Sequence, residues 1–146
     1  MSSIVVGVDG SSGSRTALHW AHAEARLRRT TLSVVTVWQM PSIATLPSFG
    51  AMPPIEDVSD EAEAALLAVL DEEDVHTSDE VPVETIVAQG SAAPALIEVA
   101  RDASLLVVGS RGHGGFTGVL LGSVSLHCVN HATCPVVVVR ADTVIG

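Results

Sequence analysis

The chain has 146 residues and a formal net charge of −10, with 47% hydrophobic but only 3% aromatic residues. That length suits a single domain over 1–146 whose core is built by Val, Leu and Ala, and the negative charge argues against nucleic acid or an anionic membrane as a partner. No apolar run approaches the roughly 18 residues of a membrane span and Met1 opens no cationic, apolar leader, so a cytoplasmic protein is expected.

In chain order, Ile4 to Val8 reads as an apolar strand that ends at Asp9-Gly10-Ser11-Ser12, a turn and helix-cap cluster. A helix follows to about Arg29, with Ala17, Leu18, Ala21 and Ala25 on one face. Leu32 to Val37 is a second strand. Pro41, Pro47, Pro53 and Pro54 punctuate a long surface loop over 38–55. An acidic helix runs from about Ile55 to Asp74 with Ala62, Leu66 and Val69 turned inward, and Val83 to Ala88 is a third strand. Gly90-Ser91 caps a helix through Arg101. Leu105 to Val108 and Val136 to Val139 are the last two strands, separated by a helix that Gly122-Ser123 begins.

Strands and helices that alternate at this spacing predict parallel strands joined by right-handed crossovers. The unbroken valines 136–139 suit a sheet covered on both faces. In such open sheets ligands bind beyond the carboxyl ends of the strands, where strand order reverses. With the first and fourth strands as neighbours there, Asp9 and Gly109 face one crevice.

The segment Gly109-Ser110-Arg111-Gly112-His113 through Gly122-Ser123 follows the fourth strand and leads into a helix. Glycine lets backbone N–H groups come close to a polyanion, and the helix start adds unpaired donors and partial positive charge. This is the pattern of a phosphate cradle. Residues 30–100 hold thirteen acids and no Lys or Arg, whereas the two ends carry all seven Arg against four acids. An anionic ligand is therefore not repelled by its own loop.

Known nucleotide signatures are few. The chain has no lysine, which excludes a P-loop, a receiver domain and Schiff-base chemistry. Neither a dinucleotide G-x-G-x-x-G after the first strand nor a G-x-S-x-G elbow is present. Asp9 reads equally as a helix cap or a ligand contact, and Arg111 and His113 as loop phosphate contacts or, more simply, solvated side chains. His127, Cys128 and His131 share helical spacing with Cys134 just beyond, but no H-E-x-x-H carboxylate accompanies them, and no metal is assigned. The two cysteines read as reduced thiols. Trp20 and Trp38 are packing residues, and the run Asp71-Glu72-Glu73-Asp74 reads as a solvated helix end that opposes the helix dipole.

These residues resemble the ATP-binding branch of the universal stress protein family. That pattern is Gly, two residues, Gly, nine residues, Gly, then Ser or Thr, matched here by Gly109, Gly112, Gly122 and Ser123. Val6-Gly7-Val8-Asp9-Gly10-Ser11 and the stretch from Ser123-Val124-Ser125 to Cys134-Pro135 and Arg140 are similar to the family's first and last blocks; over 38–82 only the element order matches, and Ser104 stands where Asp is usual. The resemblance implies an open five-stranded parallel α/β sheet in order 3-2-1-4-5, Rossmann-like and similar to the adenine-nucleotide α-hydrolase fold, with helices on both faces. It implies ATP, with Mg, as ligand: the Val37 backbone at the adenine, Gly7, Val8 and Asp9 along the nucleoside, Val108 and Gly109 beneath the ribose. Gly112, Gly122, Ser123, Val124 and Ser125 would hold the phosphates. A nucleotide-responsive stress regulator is implied rather than a fast enzyme. A slow ATPase and a nucleotide-free interaction module are the alternatives. The last strand, Val136, Val137, Val138, Val139 and Arg140, is an unguarded edge and the expected homodimer contact.

Overall fold

The computed structural model describes residues 3–40, 54–111 and 121–145. Among the described residues nine elements follow in strict alternation: β1 (Ile4–Gly7), α1 (Ser12–Arg28), β2 (Leu32–Trp38), α2 (Ile55–Glu72), β3 (Val83–Gln89), α3 (Ala92–Val99), β4 (Leu105–Gly109), α4 (Ser123–His131) and β5 (Val136–Val139). All pairings are parallel and the strand order is β3-β2-β1-β4-β5. This is the α/β sheet expected from the sequence.

Two apolar layers sandwich the sheet. On one face Ile4, Val6, Leu32, Val34, Leu105 and Val107 meet Ala17, Leu18, Ala21 and Ala25 of α1 and Leu66, Val69 and Leu70 of α2. On the other, Val5, Val35, Leu106 and Val108 meet Ala93 and Leu96 of α3 and Cys128 of α4. Alternate residues of a strand point to opposite faces, so consecutive valines serve both layers. The three alanines and Leu18 on this face of α1 are fully buried, which places this small-residue stripe flat against the sheet.

Several boundaries differ from the sequence expectation for local reasons. The first strand closes at Gly7, although the Val8 N–H still donates to the Val35 carbonyl at 2.8 Å. Arg29 leaves α1 in the left-handed region, φ 54°, and its N–H returns to the Ala25 and Arg26 carbonyls. α2 stops at Glu72 rather than Asp74, because Asp74 takes φ 56° and Val75 N–H reaches back to the Leu70 carbonyl. α3 ends at Val99, and Arg101 N–H tightens the exit by bonding Glu98. Ala62 is half-buried, whereas Leu70 takes its place in the core.

Candidate functional site

α1 leaves β1 on one face of the sheet, and α4 leaves β4 on the other. Neighbouring strands whose helices depart to opposite faces leave a crevice at their carboxyl ends. β1 and β4 are those neighbours, with Ile4 opposite Leu105 and Val6 opposite Val107.

The β1 rim of this crevice is a tightly bonded turn. The Asp9 carboxylate accepts from the Ser11 N–H at 3.0 Å and the Ser11 hydroxyl at 2.5 Å, and Asp9 N–H donates to the Ser14 hydroxyl oxygen at 3.2 Å. Gly10 between them has φ 84°, a conformation glycine adopts at no steric cost. The residue that caps α1 is Ser11, whose Oγ accepts from Ser14 N–H at 3.3 Å. Asp9 thus shapes the turn without being the cap. On the other side of the turn, a Cβ on Gly7 would sit 2.9 Å from a terminal methyl of Leu96 of α3, which would have to shift.

The β4 rim presses on the start of α1. A Cβ on Gly109 would lie 2.9 Å from the Gly13 backbone, and one on Gly13 would lie 2.7 Å from the Arg111 carbonyl oxygen. Two glycines therefore let the two rims touch through backbone alone. Gly13 escaped the sequence reading; its signal is a glycine in the first turn of a helix, where alanine is the better helix former.

α4 starts at the same end of the sheet. Its cap residue is Gly122, with no side chain to bond the helix start, and the first intrahelical bond is from Leu126 N–H to the Gly122 carbonyl. The N–H groups of Ser123, Val124 and Ser125 precede that bond, as the opening donors of any helix do. Gly122 N–H itself gives to the Ser110 carbonyl at 2.6 Å. The buried Ser125 hydroxyl donates to the Ser110 and Gly122 carbonyls, both at 3.0 Å, while the Ser123 side chain is exposed. Ser110, another residue the sequence reading passed over, is therefore the post to which α4 is tied.

Val37 stands at the far wall. Pairing of β2 with β1 ends at Val35 opposite Gly7, but pairing with β3 continues to Trp38 opposite Gln89. Backbone groups of alternate strand residues turn to the same side, and the Val35 carbonyl faces β1. The N–H and C=O of Val37 are thus directed over the end of β1, above the crevice. Val108 is buried beneath it and Arg111 is exposed at its mouth. Gly112 and His113 lie outside the described residues.

Elsewhere, the His127 and His131 rings approach to 4.6 Å between centroids. Burial pushes the Cys128 thiol up to about 11 and raises Cys134 as well, which keeps both protonated at neutral pH. Among the described residues no group of three His, Cys, Asp or Glu is placed to hold a metal ion, and no helix is long and apolar enough to cross a membrane.

An open parallel sheet with a glycine-lined crevice at its reversal point is the framework of a family of small α/β proteins. The universal stress protein family model matches residues 1–140, and the chain belongs to that family. A universal stress protein of Mycolicibacterium smegmatis is 39% identical over 140 residues, covering 94% of this chain and 45% of the relative. The chain therefore spans about half the length of the curated relatives it matches. Among solved structures, the universal stress protein UspA from Lactobacillus plantarum has the same fold, with a TM-score of 0.73, 20% identity, and 95% and 97% of the two chains covered. A universal stress protein in complex with cAMP is 26% identical, with a TM-score of 0.70 and 97% and 98% covered.

Proposed function

We propose that this chain binds ATP, with Mg, in the β1–β4 crevice and acts as a nucleotide-responsive regulator in a stress response. The observation that carries the reading is the start of α4: a glycine cap with no side chain, three helix-opening N–H groups, and a position at the carboxyl end of the sheet where strand order reverses. The cAMP complex of a similar protein supports an adenine nucleotide as the ligand class. In this reading the Val37 backbone meets the adenine, Gly7, Val8 and Asp9 line the nucleoside, and Val108 and Gly109 lie beneath the ribose. Ser123, Val124 and Ser125 present N–H groups to phosphate, with Gly112 and Gly122 leaving room for it. Arg111 and His113 are the further candidates for a phosphate contact. Ser125 contributes its N–H rather than its hydroxyl, which already serves Ser110 and Gly122.

Regulation fits better than catalysis because the Asp9 carboxylate is engaged by Ser11 and shapes a turn, rather than orienting a base toward water. A cytoplasmic homodimer through β5 completes the proposal, since that strand ends the sheet. Ligand at about 100 times its Kd adds roughly 2.7 kcal/mol, and a domain of this size shifts about 2–4 °C per kcal/mol. Millimolar Mg-ATP is expected to raise the melting temperature by several degrees. No shift at any ATP concentration would remove the reading.

A further inference from the structure

The acidic run at the end of α2, unexplained by helix electrostatics, closes on α1. Arg15 Nη1 lies 2.8 Å from Glu72 Oε2 and 3.0 Å from Glu73 Oε2, and His19 Nε2 lies 2.8 Å from Glu73 Oε1. The same guanidinium turns its Nε to the Gly10 carbonyl at 3.0 Å. One planar side chain therefore spans two places far apart in sequence: the turn that forms the β1 rim, and the exit of α2. His19 and then Arg15 hold the Glu73 carboxyl below its usual range, consistent with a carboxylate that stays charged and anchored.

We propose that Arg15, braced by Glu72 and Glu73, is a positioning residue that holds the Asp9–Gly10 turn in the shape that lines the nucleoside. The inference rests on the nucleotide reading of the crevice, and it extends that site to a brace no cradle motif contains. Gly10 is the weak point of the turn. It sits at φ 84° with open space where a Cβ would be, so no side chain limits its rotation. Its carbonyl is fixed by Arg15 from outside, while Asp9 is fixed by Ser11 and Ser14 from inside. Ion pairs this exposed add little to global stability. The guanidinium fork matters for geometry, because it reaches a carbonyl and two carboxylates at once, which a lysine ammonium on a flexible stem does not reproduce.

Arg15→Met, Arg15→Lys, Glu73→Gln and the Arg15→Met/Glu73→Gln pair test this, with Mg-ATP and adenosine as calorimetric probes and backbone NMR order parameters measured without ligand. Arg15→Met is expected to lower the order parameters of Asp9, Gly10 and Ser11, and to weaken Mg-ATP and adenosine alike by about threefold to tenfold. Arg15→Lys recovers only part of the loss. Because both residues act through one brace, the double variant is no weaker than Arg15→Met alone. Unchanged order and affinity in Arg15→Met, or fully additive losses in the pair, overturn the proposal. Wild-type protein that takes up no nucleotide removes the reading of the crevice instead, and the order parameters then decide the brace on their own.

Discussion

Gly122 adopts φ −74° and ψ 173°, an ordinary cap conformation open to any residue. Its glycine is therefore not demanded by the backbone. What the missing side chain leaves is an uncapped helix start, and that separates two effects that normally move together. Gly122→Asp supplies a cap carboxylate to the first turn, worth from a few tenths to about 1 kcal/mol. It also places a like charge a few ångströms from any phosphate, costing about tenfold or more in affinity. The variant is expected to melt at or above the parental temperature in a thermal scan while losing ATP binding in calorimetry. Parental ATP affinity would mean that phosphate lies elsewhere. At this scale the candidate site was partly legible: Gly109, Gly122 and Ser123 stand out by spacing as candidates. Gly13, Ser110 and Arg15 do not, because their partners are distant in sequence; Arg15 meets Glu72 and Glu73 across 57 and 58 positions. The run Asp71-Glu72-Glu73-Asp74 looked solvated for the same reason, yet two of its members hold Arg15.

The elements were the most legible level. Apolar runs such as Leu105 to Val108 have no polar residue to present to water, so they signal strands covered on both faces, and alternation then implies parallel pairing. Helix ends were less legible, since Asp74 and Arg101 sit where backbone turns and not side-chain patterns stop the helix. β5 shows how element and assembly connect. Leu106 and Ser110 donate to the Pro135 and Val139 carbonyls, so the alternate residues Val136 and Val138 turn their backbone groups to the open side. Their side chains meanwhile pack onto the α3–α4 layer, and Val139 is buried on the α1 face. An edge of this kind invites strand pairing through its backbone. Val138→Pro removes an outward N–H and spares the β4 ladder. In the proposed homodimer the parent scatters light as a dimer at micromolar concentration and Val138→Pro as a monomer. A monomeric parent would contradict the β5 contact.

For the whole molecule, charge and topology agree. The acidic excess of the middle of the chain rides on α2, which covers β2 and β3 on the face opposite α4. The crevice opens instead between β1 and β4, where Arg111 is exposed. The same two glycines that let α1 touch the end of β4 make the crevice a property of the fold and not of any one loop. Equilibrium dialysis of the purified protein against labelled Mg-ATP measures whether the crevice takes up a nucleotide. Saturable uptake approaching one nucleotide per chain, competed by unlabelled ATP and lost in Gly122→Asp, is the expected result; uptake no greater than that of a buffer blank at millimolar ATP would contradict it.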